Sequence, residues 1–298
     1  MSQGENIQEA HCQTLASATF SAMAEPLSRG SPFCADDAQR PTSYNTRGMW
    51  HYRDLVRNLT LAELKNRYQN TALGFFWSIL SPLLFAGVLY FFFRHLFGAE
   101  ENFAVNLMVG VMAWRFFSLG TSSCLGAVVS KASLVTKVYV PRHILVLSTA
   151  LAGLISSFLE FIVLLFIILG LLGHLPVTVL LFPVVHLVYF WFVFGAGLLL
   201  SALFVYFRDV NQIWEVLVNV LFFCTPVFYP ISIVPDYLMP YYQLNPVTQF
   251  IVIYRGVMVA GNLPSPNSIV IVIAFAIAAY LVGSLVFNKL QRRFAEEI

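Results

Sequence analysis

From Val177 to Phe207 the chain runs without a single Asp, Glu, Lys or Arg. A helix crosses the hydrocarbon layer with about 20 apolar residues at about 1.5 Å each. This run alone therefore suffices for a tilted span. A soluble fold has no place for it, whereas acyl chains solvate apolar side chains all around a helix whose backbone is bonded internally. The pattern recurs along the chain. Thr71 to Phe93 carries no charge, Phe103 to Ser130 only Arg115, and Ile144 to Leu172 only Glu160. Val216 to Pro235 and Ser268 to Asn288 carry none, although Pro226 and Pro230 break the end of the former. The expected fold is an all-α integral membrane protein with six transmembrane helices. Composition agrees: 58% of residues are hydrophobic and 11% charged, against about 25% charged in an ordinary soluble domain.

Lys and Arg collect on the side of a membrane that faces the cytoplasm. With the N-terminus inside, the inner flanks hold Arg47, Arg53, Arg57, Lys65 and Arg67, then Lys131, Lys137 and Arg142, then Arg208, then Lys289, Arg292 and Arg293. The outer flanks hold only Arg94 and Arg255. The asymmetry predicts both termini in the cytoplasm. Residues 1–49 are polar, lack the apolar core of a signal peptide, and are expected to form a mobile cytoplasmic tail. Residues 50–298 form the membrane domain. A net charge of +2 gives no reason to expect nucleic acid. Cys12, Cys34, Cys124 and Cys224 are too scattered for a disulfide framework or a zinc site, so no metal is expected.

Three connections stand out. Residues 50–70 place Leu55, Val56, Leu59 and Leu64 at helical spacing between Arg53, Arg57 and Arg67. This predicts a helix lying in the headgroup plane, or else a cytoplasmic helix leading into span one. Thr60 followed by Glu63 fits a capping box and predicts a helical start at Thr60. Residues 131–142, KASLVTKVYVPR, are amphipathic and end at Pro141, and read either as a docking helix for a cytoplasmic partner or as a solvated loop. Residues 228–267 are too apolar for a simple outer loop, with Tyr237, Tyr241, Tyr242, Phe250, Ile251 and Tyr254 among them. They predict re-entrant helices, which require protein or a cavity beside them.

Catalytic and nucleotide-binding signatures are missing: the sequence has no P-loop, H-E-x-x-H or G-x-S-x-G. Arg115 and Glu160 are the charges inside the spans. They lie equally far in sequence from Phe103 and Leu172, about 18 Å at 1.5 Å per residue, hence at matching depth. Each alone in lipid costs roughly 2.5–3.5 kcal/mol on insertion scales. They are expected to pair or to share a polar cavity, with a structural ion pair favoured over a transport role. Aromatic residues make up 15% of the chain, 28 of them Phe. Tyr and Trp near span ends serve as interface anchors, and aromatic faces also stack on sugar rings.

Four stretches appear in an order that resembles a known family: Glu63 to Leu84 with Arg67-Tyr68, Leu73-Gly74, Trp77 and Pro82; Gly110 to Leu145 with Trp114 and Phe116-Phe117, closing on Pro141-Arg142; Ala202 to Ile231 with Arg208-Asp209 and Thr225-Pro226; and Leu244 to Gly261 with Asn245-Pro246 and Tyr254-Arg255. From Trp50 onward the chain is similar to the membrane (permease) subunit of type-2 ABC exporters for polysaccharides, the group serving O-antigen, capsule and teichoic-acid export. The resemblance implies a homodimer around a central channel in the bacterial inner membrane, driven by two separate ATP-binding subunits. ATP and magnesium would sit on those subunits, leaving this chain non-catalytic and without a cofactor. A lipid-linked polysaccharide would move from cytoplasm to periplasm past Arg67, Tyr68, Phe75, Trp77, Tyr90, Trp114, Phe117 and Tyr229. Arg67 would bind its diphosphate, although a positive-inside role explains that residue as well. Lys131, Lys137, Tyr139 and Arg142 would couple to the ATPase, and 228–267 would form the outer gate. The alternatives are an ABC permease for small-molecule efflux, a membrane glycosyl- or acyltransferase, and a secondary transporter or channel.

Overall fold

The computed structural model describes residues 52–69, 74, 76–97, 102–132, 141–291 and 294. The expected tail, together with Phe75, Lys137 and Tyr139, lies outside them. The described residues are helical and contain no strand. Their order is α1 Arg53–Tyr68, α2 Phe76–Phe97, α3 Phe103–Gly126, α4 His143–Leu172, α5 Phe182–Tyr206, α6 Val210–Cys224, α7 Met239–Leu244, α8 Pro246–Arg255 and α9 Pro266–Leu290. A 3-10 turn, Val177–Leu181, leads into α5, and a π turn, Gly256–Ala260, extends α8.

Five segments are long and apolar enough to cross a membrane: Phe76–His95, Phe103–Gly126, His143–Leu172, Val177–Tyr206 and Pro266–Leu290. The fifth expected span, Val216–Pro235, is not a continuous helix. α6 starts earlier, at Val210, and stops at Cys224, giving 15 residues and about 22 Å. Thr225 is extended, at φ −112° and ψ 138°, because the ring of Pro226 disfavours a helical residue before it. The apolar stretch beyond Pro226 kept the hydropathy high without keeping the helix. α3 also ends before the predicted Ser130, at Gly126.

α3 is the hub. It packs on α2, α4, α5, α6 and α8, and its buried residues face several directions. α5 and α9 form the tightest pair. A methyl group on Gly195 would strike the α9 backbone at Ala279 and Tyr280, and one on Gly283 would strike the carbonyl of Gly195. Such small-residue contacts replace the hydrophobic drive that lipid cannot supply between spans. α2 keeps a broad apolar face open, including Phe76, Trp77, Phe85, Phe91 and Phe92, and α6 does the same with Ile213, Val216, Val220 and Phe223.

α1 is one helix from Arg53 to Tyr68, so no start occurs at Thr60. The Thr60 hydroxyl instead donates back to the Val56 carbonyl at 2.7 Å. Ser and Thr make this bond inside a helix when no orphan N–H is within reach. Thr60 is buried where α1 packs along α4, with the Ser148 carbonyl 3.4 Å from its hydroxyl.

Candidate functional site

Polar side chains at one end of the bundle lock α1 onto α3 and α4. Lys131, just beyond α3, lies 3.0 Å from the Glu63 carboxylate and donates to Thr149 at 2.9 Å. Arg67 donates to Ser123 at 3.2 Å. Further along the bundle, Arg115 Nε on α3 lies 3.6 Å from the Glu160 carboxylate on α4. That is an ion-pair distance but too long for a hydrogen bond. Ser78 on α2 hydrogen-bonds Glu160. A pocket of about 20 Å³ is lined by Arg67, Arg115, Gly153, Ser156, Ser157 and Glu160, with room for about one water. The Ser156 hydroxyl, without a partner among the described residues, borders it.

On the other side of Arg115, a groove of about 260 Å³ opens between α2 and α3. Ser81, Pro82, Phe85, Trp114, Arg115 and Ser118 are among the residues that line it. From here a series of rings continues along the bundle. Trp114 meets Phe222 of α6 at 5.6 Å between centroids, Phe222 meets Phe228 at 5.7 Å, and Phe228 meets Tyr229 at 5.0 Å. Phe85 also packs on Phe222, at 5.9 Å. Trp77 is exposed. Tyr90 stacks on Phe103 at 6.1 Å and takes Arg94 over its ring. Phe117 does not share the groove's surface. It is 4% exposed and packs between Phe192 and Trp214. Its position on α3 turns it toward α5 and α6, which sequence spacing alone did not distinguish from the groove side.

The broken stretch after α6 is held by one arginine. Arg255, at the end of α8, donates to the carbonyls of Val227 at 2.7 Å, Asn106 at 3.0 Å and Tyr229 at 3.5 Å. A Cβ on Gly110 would sit 2.6 Å from the Val227 carbonyl oxygen and 2.8 Å from the Arg255 guanidinium, so glycine is what lets the strap lie against α3. Asn245 caps α8 through the Val247 N–H, and its amide donates to Thr225 at 2.9 Å. Tyr229 shares a 2.8 Å hydrogen bond with Tyr242. Beside Arg255 opens a cavity of about 660 Å³, lined by Asn102, Asn106, His174, Tyr229 and Ser232 among others. The sequence marks Arg255 as an outer charge and as part of a Tyr-Arg pair, without its backbone partners. Sequence reasoning missed His186, which is buried between Ser157 at 2.8 Å and Tyr254 at 2.7 Å and ties α4, α5 and α8 together. A His inside an otherwise apolar run was the available signal.

The ABC-2 type transporter family matches residues 54–259. The chain belongs to this family. It is 30% identical over 247 residues to the O-antigen export system permease protein RfbA of Klebsiella pneumoniae, covering 82% of this chain and 94% of that protein. It is 31% identical over 259 residues to the protein of the same name from Myxococcus xanthus, covering 85% and 98%. The polysialic acid transport protein KpsM of Escherichia coli is 22% identical over 246 residues, covering 78% and 92%.

As an ABC-2 membrane component, the chain was expected to use Lys131 and Arg142 toward its ATPase. Both described side chains turn onto the chain itself. Lys131 meets Glu63 and Thr149, and Arg142 lies over the Phe294 ring at 5.6 Å. An ammonium 15% exposed beside a carboxylate is held by that pair. Lys137 and Tyr139 lie outside the described residues. Among the described residues no cluster of three His, Cys, Asp or Glu is close enough to hold a metal.

Proposed function

We propose that this chain is the membrane-spanning subunit of an ATP-driven exporter that moves a lipid-linked polysaccharide from cytoplasm to periplasm. Two copies would enclose the path, with a separate ATPase subunit beneath each. The names of its relatives, O-antigen export permeases and a polysialic acid transport protein, support the cargo class. One observation carries the reading beyond likeness: the unbroken series of rings Trp114, Phe222, Phe228 and Tyr229, flanked by exposed Phe85 and Phe223. Ring faces hold sugars by stacking without fixing one register, which suits a polymer that must slide.

In this reading both termini face the cytoplasm, as the Lys and Arg bias directs. α1 lies at the inner interface, with Arg67 and Tyr68 near the entrance. α6 and the strapped segment after it complete a sixth crossing, and α7 and α8 form the outer gate. The open faces of α2 and α6 meet the second copy or the cargo. Motion at the coupling loop reaches α1 through Lys131 and Glu63.

The test is removal of this chain from a cell that makes its surface polysaccharide. Polymer trapped in the cytoplasm, with export restored by the wild-type chain together with its ATPase, is the expected result. Normal surface polymer with loss of resistance to a small toxic compound would instead identify a small-molecule efflux permease.

A further inference from the structure

We propose that the groove between α2 and α3 is a binding site for an anionic substituent, carboxylate or phosphate, on the transported glycan, with Arg115 as its charge-selecting residue and Glu160 as the counter-ion that holds Arg115 when the site is empty. The inference rests on the export reading above and deepens it.

Depth comes first. Arg115 lies about 18 Å from the end of α3 at Phe103, near the middle of the membrane. Its side chain is 24% exposed, against 9% for Glu160. A part-exposed arginine side chain at that depth faces protein or a water-filled cavity rather than lipid, where its charge is too costly.

Its chemistry comes second. Phe85 offers an exposed ring with Trp114 bordering it, Ser81 and Ser118 offer hydroxyls, and Arg115 supplies the cation. Rings for the sugar face, hydroxyls for sugar hydroxyls and a guanidinium for an oxyanion together fit an acidic sugar or a phosphosugar. A volume of about 260 Å³ fits one or two sugar units.

The ion pair itself comes third. Glu160 is anchored by Ser78, but Arg115 Nε sits 3.6 Å away and has no hydrogen-bond partner among the described residues. The pair neutralises Arg115 but leaves its Nε unbonded, so an oxyanion reaching the guanidinium gains a charge-assisted bond that Glu160 does not fill. Arg67, on the far side of the small pocket, adds a second positive charge to the cluster. One carboxylate thus faces two guanidinium groups.

The test uses the dimer with its ATPase subunits in lipid nanodiscs and three probes of equal length: a galacturonate hexamer, maltohexaose and a phosphorylated maltohexaose. In low salt at least one anionic hexamer is expected to bind about tenfold more tightly than the neutral one, the effect of one good charged contact. The two anionic probes show which oxyanion is preferred, and tight binding of either supports the site. Arg115→Lys keeps part of the preference, and Glu160→Gln strengthens it. Arg115→Gln abolishes it, and so does the double variant R115Q/E160Q, which removes both members of the ion pair together if the single variant misfolds. Equal binding of all three probes by the wild type, or a preference that survives in the double variant, overturns the charge site while leaving polysaccharide export intact. No binding of any hexamer overturns the site together with the export reading beneath it.

Discussion

Spans α5 and α9 and the broken stretch from α6 to α8 lie in the same bundle, yet their backbones are satisfied by different means. α5 and α9 are long regular helices, 25 residues each, whose peptide groups bond internally. They need only a close fit, which Gly195 and Gly283 provide. The stretch after α6 leaves the helix at Thr225 and has peptide groups with no internal partner. Arg255 supplies donors to the Val227 and Tyr229 carbonyls instead, and a side-chain bond from Asn245 to Thr225 ties the break to the start of α8. Non-helical backbone at membrane depth survives only where protein or water replaces those bonds. The comparison teaches that the first pair is a fixed frame. The second is a strap whose shape depends on a few side chains.

The largest effect is expected at the frame. Gly195→Leu drives a side chain into the α9 backbone, where overpacking costs about 1–3 kcal/mol or more. Loss of monodisperse, membrane-inserted protein in detergent chromatography checks it, and a well-behaved variant would refute the close fit. Next is Arg255→Met at the strap. It leaves the Val227 carbonyl without its donor, at about 1–3 kcal/mol for a group left buried and dry. Thermal unfolding in detergent should shift down by several degrees, and proteolysis should cut first between 225 and 235. Uniform loss of stability without that local cleavage would place Arg255 in the frame.

Asn245→Ala removes both the α8 cap and the amide bond to Thr225, for about 1 kcal/mol. Asn245→Asp keeps the cap but not the amide donor, so its stability should fall between the two. If aspartate is no better than alanine, the cap contributes nothing. The smallest effect belongs to the part-buried pair at the other end. A Lys131–Glu63 double-mutant cycle should give about 0.2–1 kcal/mol of coupling, falling with added salt. ATPase stimulation by cargo should drop more than stability does, because the pair joins the coupling loop to α1.

Much of the frame was legible in the residues. Runs without charge, such as Val177 to Phe207, announce spans because burial in lipid is a property of the segment itself. Arg115 and Glu160 could be placed at one depth by counting from helix ends. The strap was less legible. Phe228 to Pro235 is apolar enough to imitate the end of a span, and the break at Pro226 shows only when the proline rule is weighed above hydropathy. Thr60 reads as a cap from its spacing to Glu63, yet lies inside α1 with its hydroxyl bonded backward to Val56. The direction of Lys131, and the meeting of Ser157, His186 and Tyr254 from three helices, depend on tertiary neighbours that no local pattern contains.

The central claim is that this chain guides cargo and borrows its energy from an attached motor. Purified chain reconstituted in proteoliposomes with a fluorescent lipid-linked oligosaccharide tests it directly, with and without the ATPase subunit. Movement of the glycan to the far leaflet only when the ATPase and ATP are both present is the predicted result. Movement by the chain alone, or none by the complete complex under ATP turnover, would contradict it.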